Sequence, residues 1–321
     1  RASTGASTGI GGGAPRSQRV SLARWRQLDL PRAGHDFELA GIHSCLSAFP
    51  LRGRGFRVQT IHEMPWEHGV HESADLKHRA WAAFGPLVAD CVITATHHVE
   101  RDLRTRLFPG EHKVRVVPWG VDAQFTDEPP PGTIDEVVLG KYRLPNEPLA
   151  LCLGAVRAKK NLAAVLKGLA ELRRRKGPLV QLVVSGGDTH ALRRDLGLAS
   201  RLSLARFVST PDEIAEEDLP SLLRLASVVP VLSRSEGFGL PVLEAIACGT
   251  PVLVPKNSAQ SEVAGPFGIA VDPDSPRSVA DGFERAIAER ESLREPLARR
   301  GREFTWDRCA AEVESIWEEI A

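Results

Sequence analysis

The chain has 321 residues, 42% hydrophobic and 26% charged, with 41 Lys+Arg balanced by 41 Asp+Glu. At roughly 100–200 residues per domain, that length predicts two domains with sizeable cores. The zero net charge argues against nucleic acid as a partner, no apolar run approaches the ~18 residues of a membrane span, and the first twenty residues lack the apolar core of a signal peptide. Five cysteines (Cys45, Cys91, Cys152, Cys248 and Cys309) stand far apart without a CxxC pair. That pattern speaks against a zinc framework or a disulfide set, and for buried thiols in a reducing cytoplasm.

Residues 1–18 are rich in Gly, Ser, Thr and Ala and read as a flexible tail. From Phe56 the pattern alternates strand, loop and helix. Residues 56–61, 91–95 and 113–118 are short β-branched runs, and residues 74–90 and 97–108 between them read as helices. Alternation of this kind implies a parallel sheet. The Pro-Pro-Pro-Gly run near residue 130 breaks the pattern, and 131–147 reads as an interdomain linker. The grammar then restarts with a buried strand at 149–154 and a helix at 161–176, whose apolar Leu162, Val165, Leu166, Leu169 and Leu172 share one face. Strands are expected at 180–186, 204–208, 228–232, 251–255 and 268–271, and helices near 190–196, 219–226, 241–248, 278–289 and 306–320. The division expected is a partial N-terminal Rossmann-like domain (19–130), a linker (131–147), a complete C-terminal one (148–305) and a final helix (306–321).

The chemistry concentrates in SRSEGFGLPVLEAIACGTPVLVP, residues 233–255. A polar, glycine-rich loop at the C-terminal end of a buried strand is where open α/β sheets place ligands. Gly237 and Gly239 let the backbone approach a ligand, and Pro241 fits the start of a helix. The amides at that start form an anion site suited to a phosphate or diphosphate. Glu236 lies on the loop and Glu244 one turn into the helix.

This segment resembles the E-x7-E signature of glycosyltransferase family 4, whose members have the GT-B fold: two Rossmann-like parallel-sheet domains facing a cleft. The resemblance extends to VQTIHEMPW, VVPWGVD (with Trp119 in place of the usual Asn), LCLGAVRAKKNLAAVLKGL, EVAGPFGIAVDPDSP and FTWDRCAAEV. It implies a retaining hexosyltransferase that takes a nucleotide-diphosphate sugar, with a leaning towards mannose. Carried over by residue, Glu236 contacts the donor sugar hydroxyls and the amides of Gly237, Phe238, Gly239 and Leu240 hold the sugar and diphosphate. Glu244 accepts the ribose hydroxyls, Lys160 neutralises the leaving diphosphate, and His62 sits near the reacting sugar. The family's arginine after the glycine is absent, with Ala155 in its place, so Arg157 and Lys159 are the candidates for a second diphosphate contact. No cofactor or metal is expected beyond the sugar nucleotide as co-substrate. The acceptor is a saccharide, a lipid or a small molecule, and the reading allows for peripheral contact at the inner face of a membrane.

Two metal patterns are set aside. Asp272-Pro-Asp274 spells D-x-D but sits in a proline turn. His62-Glu63 with His68 and His71 has the wrong spacing for HExxH, and Pro65 breaks the helix that motif needs. The Arg-rich end of the 161–176 helix reads as a solvated terminus. The family's opening strand–loop–helix units have no counterpart ahead of His43, and Arg1 with no methionine before Met64 fits a chain whose natural start lies elsewhere. That deficit keeps two other readings in view: a non-catalytic nucleotide-sugar-binding scaffold, and a hydrolase or epimerase on the same fold.

Overall fold

The structure is a computed structural model. It describes residues 24–321 except 47, 49, 71–75, 108–112, 146–147, 155–156, 187–188 and 212–213. The segment 1–18, His71 and Ala155 therefore lie outside the described residues.

The N-terminal half runs α1 (Leu30–Asp36), β1 (Gly41–Ser44), β2 (Phe56–Thr60), α2 (Leu76–Val88), β3 (Cys91–Thr94), α3 (His97–Leu107) and β4 (Val114–Val116). Its four strands are parallel in the order β1-β2-β3-β4, with Val58 opposite Cys91 and Val92 opposite Val114. Strand β3 is buried along its whole length, as a parallel strand covered on both faces must be. Successive side chains point to opposite faces. Val92 packs with Ile61, Met64, Ala82, Val99 and Leu103, while Cys91 and Ile93 pack with Val58, Val117 and Ile316.

Ile316 belongs to the last helix of the chain. The C-terminal half runs α4 (Glu136–Lys141), β5 (Leu149–Cys152), α5 (Leu162–Arg174), β6 (Gln181–Val184), α6 (His190–Arg201), β7 (Val208–Ser209), α7 (Leu219–Leu225) and β8 (Val229–Pro230). It continues with α8 (Leu240–Ala247), β9 (Val252–Pro255), α9 (Ala259–Ala264), β10 (Ile269–Val271), α10 (Pro276–Ala288), α11 (Arg290–Gly301) and α12 (Trp306–Ile320). Strands β7-β6-β5 and β8-β9-β10 are joined by a parallel bridge between Ala150 and Val228, in which the Leu151 N–H donates to the Val228 carbonyl at 3.1 Å. The sheet therefore reads β7-β6-β5-β8-β9-β10, the doubly wound order whose switch point lies between β5 and β8.

Helix α12 returns to the first half. Cys309, Val313, Ile316, Trp317 and Ile320 recur at helical spacing and cover the β3 face opposite Val92. The Val121 N–H donates to the Phe304 carbonyl at 3.2 Å, so the two passages of the chain between its halves run side by side.

The differences from the sequence reading have identifiable causes. Residues 131–147, read as a linker, carry α4, and Val138, Leu139 and Leu144 are buried in the C-terminal core. Three apolar side chains among prolines and charges show no period, so only the packing reveals them. Helix α11 holds Pro296 and seven charged or polar side chains among its twelve residues, and its apolar contribution is Leu293, Leu297 and Ala298. Helix α9 is one capped turn and a half, with Ser258 accepting from the Ser261 N–H. Strand β7 has only two residues, preceded by a 3-10 turn (Ala205–Phe207). The apolar face expected of α5 is buried as expected, but its basic end is not merely solvated. Arg173 lies 3.9 Å from the centre of the Phe207 ring, and Arg175 pairs with Glu171 and Asp281.

Candidate functional site

The turn after β5 and the loop after β8 meet at the switch point. Arg157 precedes the 3-10 turn Ala158–Lys160, and the Lys159 carbonyl accepts the Arg234 N–H at 2.8 Å. This backbone bond ties the lysine turn to the 233–240 loop. Gln260 anchors the loop from behind by donating to the Ser233 carbonyl at 3.2 Å. Gly239 opens α8 with φ of +99°, a conformation that disfavours any side chain. Pro241, which has no N–H, lines the same cleft as Lys160, and the Val242 and Leu243 N–H groups turn back to the Gly239 carbonyl at 2.8 and 3.2 Å.

Four charges alternate there. Lys160 Nζ donates to Glu236 Oε1 at 2.7 Å, and Lys159 Nζ donates to both Glu63 oxygens at 2.9 and 3.2 Å. Lys159 also lies 3.9 Å from Glu236 Oε2. The Lys159 and Glu236 side chains are 10% and 13% exposed, so each charge depends on its partners. The two halves of the chain meet through this network, because Glu63 follows β2 whereas both lysines follow β5.

Beyond Lys160 an open cleft of about 430 Å³ is lined by Leu153, Gly154, Arg157, Lys159, Leu219 and Glu244. Burial pushes the Glu244 carboxyl above the ordinary range, Glu216 adds to that rise, and Lys160 opposes it. Among the described residues no hydrogen bond or ion pair holds the Glu244 side chain. A half-buried carboxylate in that condition is poised to accept donors from a ligand.

His62 stands at the end of β2. Its Nε2–H donates to the Cys45 carbonyl at 2.6 Å, which leaves Nδ1 buried and, among the described residues, without a hydrogen-bond partner. The ring meets Trp119 edge-on at 5.1 Å, and Trp119 leans on Phe238 at 5.2 Å. The Phe238 side chain is itself 2% exposed and packs against Phe304, so it serves the core and only its backbone borders the site. Gly237 lies directly under His62, and Thr96 donates to the Gly237 carbonyl at 2.9 Å.

The structure therefore brings Arg157, Lys159, Lys160 and Glu244 to one cleft, joins Glu236 to it through Lys160, sets Gly237 against His62, and packs the Phe238 ring into the core. Sequence reasoning missed Glu63 as the partner of Lys159. An acid directly after a strand-end histidine was the available signal. It also missed Glu262, which accepts the His97 and His98 N–H groups at 2.7 and 2.9 Å and so caps α3 from the other half of the molecule. Of the thiols expected to be buried, Cys91 and Cys248 are buried, Cys152 and Cys309 are half-buried, and Cys45 is exposed. Burial pushes Cys91 up to about 11, and Cys152 and Cys248 up to about 12.

The profile of the family described as glycosyl transferases group 1 matches residues 139–304. The chain belongs to this family. Among group 1 relatives, it is 29% identical over 183 residues to O-antigen chain mannosyltransferase B of Escherichia coli, covering 55% of this chain and 47% of that protein. It is 27% identical over 293 residues to D-inositol 3-phosphate glycosyltransferase of Corynebacterium jeikeium, covering 83% of this chain and 69% of that one. The chain thus spans about half to two thirds of the length of these curated relatives. Sucrose-phosphate synthase from Thermosynechococcus elongatus superimposes with a TM-score of 0.73 at 22% identity, over 90% of this chain and 76% of that one. Anabaena HepE, solved in complex with UDP, gives 0.73 at 16% identity over 90% and 80%. The fold of this group 1 glycosyl transferase is GT-B.

The D-x-D pair is occupied by its turn. Asp272 Oδ1 accepts the Asp274 N–H at 3.0 Å, and Ser278 accepts the Asp272 N–H. No helix among the described residues is long and apolar enough to cross a membrane.

Proposed function

We propose that this group 1 glycosyl transferase moves a hexose of mannose type from a nucleotide-diphosphate sugar to a saccharide, lipid or small-molecule hydroxyl, with retention at the anomeric carbon. The observation that carries the reading is the Lys160–Glu236 pair at the switch point, with Lys160 lining the cleft that also holds Pro241 and Glu244. A diphosphate drawn to Lys160 releases Glu236 to accept sugar hydroxyls. Arg157, Lys159 and the amides of Gly237 to Leu240 complete the diphosphate contacts, and Glu244 accepts from the ribose.

In the transfer, the bond from the anomeric carbon to the diphosphate oxygen breaks, and a bond from that carbon to the acceptor oxygen forms on the same face. The acceptor proton passes to the departing phosphate oxygen. Lys160 stabilises the charge that develops there, where fixed cations act most strongly. His62 borders the sugar side of the cleft. The names of relatives support the mannose leaning: one is the E. coli mannosyltransferase above and another the MMP alpha-(1->4)-mannosyltransferase of Mycolicibacterium hassiacum. Five unpaired cysteines support a reducing, cytoplasmic setting.

The test is incubation with UDP- and GDP-sugars, following nucleotide diphosphate release and the anomeric configuration of the product. Transfer with retention to an added acceptor is expected. Binding without turnover, or release of free sugar or an epimer alone, would overturn the reading.

A further inference from the structure

His68, set aside above as part of a misfit zinc motif, has other neighbours in the fold. It closes the 3-10 turn Pro65–His68, a few residues after His62 and Glu63. His98 and Asp102 stand four residues apart on α3, which puts both on one face of the helix, directed at that turn. His68 Nε2 and Asp102 Oδ2 are 2.8 Å apart, and the His68 and His98 rings lie near-parallel, 22° apart in plane, with centroids separated by 5.2 Å. One ligand atom from each of the three side chains falls within 4.8 Å of the others. Among the described residues, His98 makes no side-chain hydrogen bond.

We propose that His68, His98 and Asp102 form a binding site for a first-row divalent cation of the zinc class, with water completing the coordination. Two imidazoles and a carboxylate are ligands such ions accept, and three protein ligands with one open position is a recurrent arrangement. Bonds of roughly 2.0–2.1 Å in a tetrahedron put ligand atoms roughly 3.3 Å apart, so small rotamer changes bring the three into place. The hydrogen bond between His68 and Asp102 holds the ligands together when no ion is bound. The helix is braced as well, since Glu262 fixes its first amides. A bound ion would therefore fasten the turn that follows His62 and Glu63 to a helix already tied to the other half. The site shares no residue with the donor cleft and does not depend on what that cleft binds.

The probe is Zn²⁺ titrated into the full chain by calorimetry, with Co²⁺ for its visible spectrum. One equivalent of ion is expected, with a rise in Tm and a Co²⁺ spectrum free of thiolate charge-transfer bands. His98→Ala and Asp102→Asn should each weaken binding at least about tenfold. Asp102→Asn is close to isosteric, and its metal-free Tm and circular dichroism check that the fold persists. Absence of binding, wild-type affinity in either variant, or a thiolate spectrum would each overturn the site.

Discussion

The carbonyl oxygen of His62 occupies the place a side chain on Gly237 would take: a Cβ there would lie 1.6 Å from it. One residue ends a strand of the N-terminal sheet and the other lies in the loop after β8, so the halves touch through bare backbone. Thr96 seals the contact by donating to the Gly237 carbonyl.

Gly237→Ala must push the two halves apart at this point. A displacement of about 1 Å at a reacting centre costs about 10²-fold in rate, and a loss of that order in kcat is expected. Steady-state kinetics beside a thermal scan check it. A wild-type rate with an unchanged Tm would mean that the contact does not set the site's geometry.

The Lys160–Glu236 pair yields a second prediction. Each carboxylate or ammonium left alone there loses its main partner, so Lys160→Ala and Glu236→Ala should each destabilise the fold, and the double variant by less than their sum. A coupling of about 0.5–3 kcal/mol is the range for residues in contact. The 27% exposure of Lys160 points to the lower half of that range. Turnover should fall by about 10²–10³ in either single variant, as when one group that stabilises developing charge is removed. Denaturant unfolding of the four proteins measures the coupling, and additive values would dissolve the pair.

Glu244 trades stability for binding. Its carboxyl is raised by burial, so the folded state holds the proton to higher pH than the unfolded chain does. The folded state then binds more protons between the unfolded value of about 4.3 and the raised one, and stability falls as pH rises through that window. Glu244→Gln removes this dependence. Its Tm should gain on the wild type across the window and keep the gain above it, while its affinity for a nucleotide sugar drops. Wild-type affinity should also fall as pH drops through the raised value, because a protonated carboxyl accepts less well. Thermal scans and calorimetry over a pH series test all three, and a constant Tm gap across the series would sink the argument.

The donor side of this site was legible in the sequence because its residues lie close together along the chain. Glu236 and Glu244 share one loop and one helix, and Lys159 and Lys160 sit in the turn after a buried strand. What joins β2 to that cleft was not legible. Glu63 meets Lys159 across 96 positions and Thr96 meets Gly237 across 141, and no period or spacing encodes such pairs. The same limit explains α4, whose core contribution is Val138 and Leu139 beside a proline run. Only the Phe238 amide was assigned to the donor, and its ring packs against Trp119 and Phe304.

Helix α12 supplies the last prediction. The helix is last in sequence yet covers the first sheet, with Ile316 at 7% exposure against Val58, Cys91, Ile93 and Val117. Cutting Ile316 to Ala should lower stability by about 2–4 kcal/mol, as truncation of a buried isoleucine does. The loss should also be local. Cys91 lies under this helix at 2% exposure, whereas Cys248 is equally buried in the C-terminal core, away from α12. Opening of α12 exposes the first thiol and leaves the second covered. In Ile316→Ala, modification by a thiol reagent under native conditions should therefore accelerate at Cys91 while Cys248 keeps its wild-type rate, as mass spectrometry of the labelled peptides would resolve. Equal acceleration at both thiols would mean that the two halves unfold as one unit and that α12 is not a separable cover.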